Sequence, residues 1–270
     1  MQIDISKKMD KLIVTEALRS RRTKEEVTNA AIEEYMKKAN PIYISAPVNA
    51  LVEGLYEEDT LISDIKKRGD FGIGTFNNLD GEMVMLDGKV FQLLANGKVE
   101  TVDDDVQTPF SCVTFFRADA AEEVSGEHNY QQFNDLLDKC VPSRNMLYSI
   151  RIDGLFKYVR TRSVPKQDNY RPLVEVTKEQ PEFEYSDIYG TIVGFYSPPF
   201  ISSVTVPGYH FHFLSDDFHH GGHLLECNMR EGKIGIQHHA HMDLGLPITL
   251  DFMTADFTRD TEKDLEKAER

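Results

Sequence analysis

The chain has 270 residues, 40% of them hydrophobic and 28% charged, and 45 acidic against 30 basic side chains give a formal charge of -15. That length can bury the core of one large domain or two small ones. A surface this acidic repels phosphate backbones, so nucleic acid is not expected as a partner, and an anionic substrate needs a locally positive site.

The first twenty residues break their apolar positions with Lys and Asp, so no signal-peptide core is read there. No run approaches the roughly 20 apolar residues of a membrane span. Cys112, Cys140 and Cys227 are odd in number and widely spaced, which argues against a disulfide framework or a thiolate zinc site. The expected location is the cytoplasm.

Residues 4–38 read as helical. Leu12, Val14, Ala17 and Leu18 fall near helical spacing, and Thr23-Lys24-Glu25-Glu26 resembles a capping box ahead of Val27, Ala30, Ala31, Ile32 and Tyr35. Asn40-Pro41 ends this region. Residues 1–40 are therefore expected to be a helical extension used for docking or dimerisation. Arg19, Arg21 and Arg22 leave open a ribbon-helix-helix-like DNA arm, which the acidity of the chain opposes.

Residues 41–270 form the main region, with room for a sub-domain break between about 140 and 185. Val48–Leu55 and Thr60–Lys67 read as short helices. Asp80-Gly81, Asp87-Gly88 and Asn96-Gly97 then punctuate alternating apolar sequence, the pattern of a hairpin meander. Residues 129–139 suit a helix, and strand-like stretches follow at 146–162, 188–196, 203–214, 223–228 and 232–240. The fold expected is α+β and mostly β: two packed mixed or antiparallel sheets, with the helices concentrated early.

Eight of the nine histidines lie between 210 and 241. His210 and His212 stand two apart in a β-like run, so both imidazoles share one strand face while Tyr209, Phe211 and Phe213 take the other. A turn at 215–222 would return His223 beside them, and three protein ligands with an open position is the arrangement of a catalytic zinc site. His219 and His220 compete with His223 for the third place. His238, His239 and His241 leave open a separate weak metal site, but are expected to be ordinary polar residues of a loop and strand.

Four segments carry a resemblance: DFGIGTFNNLDGEM (70–83), IRIDGLFKYVRTRSVPKQ (150–167), GTIVGF (190–195) and GYHFHFLSDDFHHGGH (208–223). In order and separation they resemble the alpha-acetolactate decarboxylase family over roughly residues 43–270. The resemblance implies zinc (Zn2+) on His210, His212 and His223, the C-terminal sheet as the site's platform, and Arg162 as the active-site arginine. It also implies Glu82 as a carboxylate in a Leu-Asp-Gly-Glu turn, Thr75 as the neighbouring threonine, and a second glutamate in the tail at Glu269, with Glu266 as the alternative.

The activity implied is decarboxylation of 2-acetolactate to acetoin and CO2, in the acetoin and butanediol pathway, by a homodimer with no organic cofactor. Loss of CO2 from this small 2-hydroxy-3-keto acid leaves two electrons on carbon. Zinc chelated by the hydroxyl and ketone oxygens would stabilise the enediolate as a Lewis acid. Arg162 would hold the carboxylate in a bidentate grip, and Glu82 or Glu269 would return a proton. Taken singly, Arg162 reads as a surface cation, Glu82 as a polar turn residue and Glu269 as frayed tail. Two other classes compete: a cupin-like metal-dependent oxygenase, for which a Glu shortly after His212 is missing, and a metabolite-sensing regulator with a DNA-contacting N-terminal arm.

Overall fold

A computed structural model describes residues 5–38, 40–169 and 171–269. The chain falls into two compact units, residues 1–40 and 41–270. In the first, α1 (Lys7–Ser20) is capped by Ser6, whose side chain accepts from the Met9 amide, and it ends at Arg21 in the left-handed region. The second helix, α2 (Lys24–Lys38), opens on the capping box read from the sequence: the Thr23 amide donates to Glu26 Oε2 at 2.7 Å, and the Glu26 amide donates to Thr23 Oγ1 at 3.1 Å. Asp4, where the expected helical span began, lies outside the described residues.

The second unit is built on two sheets. The first contains β1 (Ile42–Ile44), β2 (Phe71–Thr75), β3 (Glu82–Leu86), β4 (Lys89–Leu93), β5 (Val99–Thr101) and β6 (Ser111–Thr114). The second contains β7 (Ala120–His128), β8 (Leu147–Arg162), β9 (Glu182–Ser197), β10 (Gly208–Ser215) and β11 (Gly221–His239). A last strand, β12 (Met242–Leu244), returns to the first sheet and pairs in parallel with β1, making that sheet mixed. The orders are β12-β1-β6-β2-β3-β4-β5 and β10-β9-β8-β11-β7.

The three Gly turns of the meander appear as expected, with Gly81, Gly88 and Gly97 all at positive φ between β2 and β5. The stretches 223–228 and 232–240 are one long strand, kept continuous against β8 by three register shifts that let it bend. Its first residues turn to pair with β10, which already pairs with β9, so the second sheet closes on itself at that end. There Gly221 and Gly222 are required by close approach: a Cβ would lie 2.5 Å from the Phe213 carbonyl oxygen in the first case and 2.6 Å from that of Arg162 in the second.

Alternation along the strands sorts side chains into three layers. Phe71 and Ile73 of β2, Val84 of β3, Val193 and Phe195 of β9 and Leu214 of β10 fill the layer between the sheets. Beyond the first sheet, Met83, Met85 and Val113 pack on Ile62 and Ile65 of α4 (Ile62–Lys66), which follows α3 (Val48–Val52). Beyond the second, Ile150, Ile192 and Phe213 pack on Phe133 and Leu137 of α5 (Tyr130–Cys140). The sequence placed its helices early. The structure adds α6 (Leu173–Val176), α7 (Leu250–Thr254) and α8 (Glu262–Glu269), short elements whose periodic signal is too brief to read. No helix of the described residues is long and apolar enough to cross a membrane.

One carboxyl away from the sheets' interface has a pH consequence. Burial pushes Glu58 up to about 7; a long hydrogen bond from Thr249 opposes this, while Asp59 and Asp251 add to it. A carboxyl whose folded pKa lies above its unfolded value favours folding while protonated, and that contribution is lost as pH rises through the folded pKa. Glu58→Gln should therefore match the parent near pH 5 and exceed its stability near pH 8 by on the order of 1 kcal/mol. Thermal melts at the two pH values check this; a variant that is the less stable one at pH 8 contradicts it.

Candidate active site

Two ladder rows, one from each sheet, meet in the layer between them. In the second sheet His212 pairs with His223, and His223 pairs with Arg162, across β10, β11 and β8. Directly paired residues of neighbouring strands present their side chains on one face, so register alone brings the second H-x-H histidine, the Gly-Gly-His histidine and the arginine together. His210 joins them from two residues earlier on β10. In the first sheet Thr75 pairs with Glu82 and Glu82 with Leu93, across β2, β3 and β4. Both rows occupy positions that would otherwise be apolar core.

The imidazole centroids of His210, His212 and His223 lie 5.1 to 5.5 Å apart, and one nitrogen from each falls within 4.8 Å of the others. Burial, aided by the Arg162 charge, holds His210 neutral, its pKa lowered to about 3. Burial and the neighbouring charges hold His212 and His223 well below the usual range as well. A neutral imidazole carries one N–H, and its partner fixes which nitrogen bears it.

His212 donates Nδ1–H to the Met83 carbonyl at 2.8 Å, which leaves Nε2 a bare lone pair, buried and without a partner. His223 donates Nε2–H to the Glu269 carbonyl at 3.2 Å, which leaves Nδ1 as the lone pair. Main-chain oxygens thus fix opposite tautomers. A buried, unpartnered lone pair costs about 1–3 kcal/mol, and a divalent metal ion is the group that would satisfy it. The three histidines fit such an ion.

Two carboxyls flank them. Glu82, its side chain 13% exposed, stands 3.6 Å from His212 Nε2 and accepts from the Val164 amide. Burial and then the nearby Glu269 charge push its pKa up to about 8, against the opposing pull of Arg162. Glu269 lies 3.4 Å from His210 Nε2 and 3.8 Å from His223 Nδ1, and burial raises it to about 7. With the imidazoles neutral these are contacts between a carboxyl and a lone pair, not ion pairs.

Glu269 is held by its helix. Leu265 and Ala268 bury one side of α8 in the inter-sheet core, and Thr261 donates to Asn49 at 2.8 Å. Arg162 Nη2 donates to the Ala268 carbonyl, while its Nε is buried with no partner. Glu266, the alternative tail residue, is exposed on the outer side of α8, bordering a second cleft. Thr75 Oγ1 donates to the Gly81 carbonyl at 2.7 Å, tying strand β2 to the turn before Glu82. All seven residues singled out in the sequence line one cleft, Thr75 with its hydrogen spent on the turn; the cleft's empty space, part of it open to solvent, is about 520 Å³.

The competing histidines go elsewhere. His219 is solvent-exposed, and the His220 ring packs on Tyr185 with centroids 4.8 Å apart. His238 pairs with Asp119 at 3.0 Å and His239 with Ser149 at 2.9 Å. Among the described residues, only His210, His212 and His223 form a group able to hold a metal ion.

The sequence model of the alpha-acetolactate decarboxylase family matches residues 42–259. The chain belongs to the alpha-acetolactate decarboxylase family. An alpha-acetolactate decarboxylase of Bacillus licheniformis is 38% identical over 240 residues, 88% of this chain and 95% of that protein. One from Methylococcus capsulatus is 40% identical over 229 residues, 84% and 88% of the two chains. The crystal structure of the Bacillus subtilis enzyme superposes with a TM-score of 0.82 at 38% identity, over 85% of this chain and 99% of that one. The decarboxylase is thus a carbon-carbon lyase, and its mixed α+β, two-sheet architecture is that of its relatives.

Some of this site has no signature in the decarboxylase's sequence. The Met83 carbonyl and the Ala268 carbonyl act through main chain, which any residue supplies. Gln180, which lines the cleft, stands outside every motif. Elemental analysis of variants tests the metal centre. About one divalent ion per chain should bind, and His210→Ala, His212→Ala and His223→Ala should each lose most of it, since three ligands are the minimum for such a site. His219→Ala and His220→Ala should keep it; if either loses the ion while His223→Ala retains it, the grouping is wrong.

Proposed function

We propose that the decarboxylase converts 2-acetolactate to acetoin and CO2 with zinc on His210, His212 and His223, and that catalysis resides in residues 41–270, with 1–40 an appended extension. The observation that carries the metal is the His212 Nε2 lone pair, buried and unpartnered because Met83 fixes the other nitrogen. An all-imidazole set suits zinc among the divalent ions. Bound there, zinc supplies a Lewis acid for the charge that develops on substrate oxygen.

The remaining work falls to the chain's own groups. Arg162 keeps one edge for the Ala268 carbonyl and has Nε–H unpartnered, which suits it to receive the substrate carboxylate. Departure of CO2 leaves an electron pair that must take up one proton at carbon. Among the described residues Glu82 and Glu269 are the carboxyls that line the cleft, and burial keeps both raised toward neutrality, the range in which a carboxyl can hold and release a proton. Thr75 supports the turn that aims Glu82. The expected homodimer and cytoplasmic location belong to the same proposal. The apolar run Leu246, Ile248, Leu250 and Met253, all exposed, supports the first, and three free thiols support the second.

Incubation with racemic 2-acetolactate, following acetoin and CO2 with and without a chelator, is the direct test; turnover that survives complete metal removal sinks the zinc reading. Arg162→Lys keeps the charge and loses the planar fork, so activity should fall more than about tenfold at unchanged metal content. Glu269→Gln should cost about a hundredfold, within the range for losing a general acid, and Glu266→Gln much less. Equal, small effects of the two tail variants would leave Glu82 or water as the proton source.

A further inference from the structure

Three buried side-chain atoms on residues lining the active-site cleft have no hydrogen-bond partner: His212 Nε2, Arg162 Nε and the amide oxygen of Gln180. The first is a lone pair facing a Lewis acid's place, and the second is an N–H suited to an anion. The third has no role in the chemistry so far described. Gln180 follows a 3-10 turn, Thr177–Glu179, in extended conformation with φ -70 and ψ 129. The pairing of Arg162 with Glu182 and the bond from the Ser163 amide to the Pro181 carbonyl (3.3 Å) place it beside the arginine's strand. Its position is thus set by the sheet ladder rather than by any bond of its own side chain.

A buried acceptor left without a donor is unfavourable, and Leu or Met at the same position would avoid the penalty. Such an atom is explained when a ligand supplies the donor. Acetolactate offers a carboxylate and a ketone, both acceptors, and one donor, the 2-hydroxyl. We propose that Gln180 reads this hydroxyl, its amide oxygen accepting the O–H hydrogen bond, and so selects 2-hydroxy acids over acids of the same shape that lack the group. The proposal rests on the acetolactate reading above. A site built to pair a substrate hydroxyl discriminates strongly against analogues without it, because the protein group is then stranded.

The test uses two competitive inhibitors that differ only at that position, 2-hydroxy-2-methylpropanoate and 2,2-dimethylpropanoate, against the intact enzyme and its Gln180→Leu and Gln180→Met variants. The parent should prefer the hydroxy acid. Both variants should lose about tenfold of that preference, the size of one hydrogen bond to a ligand, with a comparable fall in kcat/KM for acetolactate. Metal content should be unchanged, and the melting temperature unchanged or higher, since an unsatisfied buried group has been removed. A purely structural glutamine behaves in reverse: the melting temperature falls and the preference survives. Either folded variant that keeps the parent's preference overturns the assignment. Failure of the parent itself to release CO2 from acetolactate is scored before any variant is made, and overturns the acetolactate reading instead.

Discussion

One hydrogen bond, from His212 Nδ1 to the Met83 carbonyl, sets the terms for the rest of the site. It spans the two sheets, from β10 to β3, and ties their separation to the chemistry. A carbonyl can only accept, so the proton is confined to Nδ1 and the lone pair of Nε2 is turned into the cleft. The same bond places Glu82, one residue before Met83, 3.6 Å from that lone pair. A shift of β3 by one residue would send Glu82 to the α4 side and bring an apolar side chain to the histidines.

Charge in the cleft follows from this geometry. Three imidazoles are neutral because burial makes their protonation costly, so among the described residues that line the cleft Arg162 is the fixed positive group facing Glu82 and Glu269. Two carboxylates that close to one guanidinium leave the pair short of positive charge, and each raises the cost of ionising the other. A dication on the histidines and a substrate monoanion would bring the total to zero with both carboxylates ionised. The acidic exterior of the chain, at -15 overall, makes this local compensation necessary for an anion to dwell there.

What the sequence made legible was whatever depends on period and turn chemistry. The i, i+2 spacing of His210 and His212, the glycines that let β11 close against β10, and the three Gly turns before β5 all have direct sequence signals. Arg162, Glu82 and the tail glutamate were singled out only by the resemblance to the family, since each taken singly reads as a surface or tail residue. Register was not legible. Nothing local says that His223 pairs with Arg162, or that the stretches 223–228 and 232–240 are one bent strand, because β-bulges accommodate their irregular pattern. The docking of α8 was hidden for another reason: an eight-residue helix carries two buried side chains, Leu265 and Ala268, too few for a periodic signal. Match to the family ends at Arg259, so the tail's place over the cleft is a fact of tertiary packing.

The cleft also shows where this fold tolerates instability. Each buried polar atom without a partner costs about 1–3 kcal/mol, a large share of a domain's typical net stability of about 5–15 kcal/mol. Of the four such side-chain atoms among the described residues, three belong to residues that line this one cleft. The layer around them is otherwise apolar and closely packed, with Phe71 set edge-on to Phe195 across the sheets at 6.1 Å. That packing supplies the stability that lets a lone pair, a guanidinium N–H and an amide oxygen stay unpaired and fixed in direction. Groups held this way need no reorganisation when their partners arrive, so a metal ion at the lone pair, with a ligand that brings an acceptor to the guanidinium N–H and a donor to the amide oxygen, would recover the desolvation already incurred in folding.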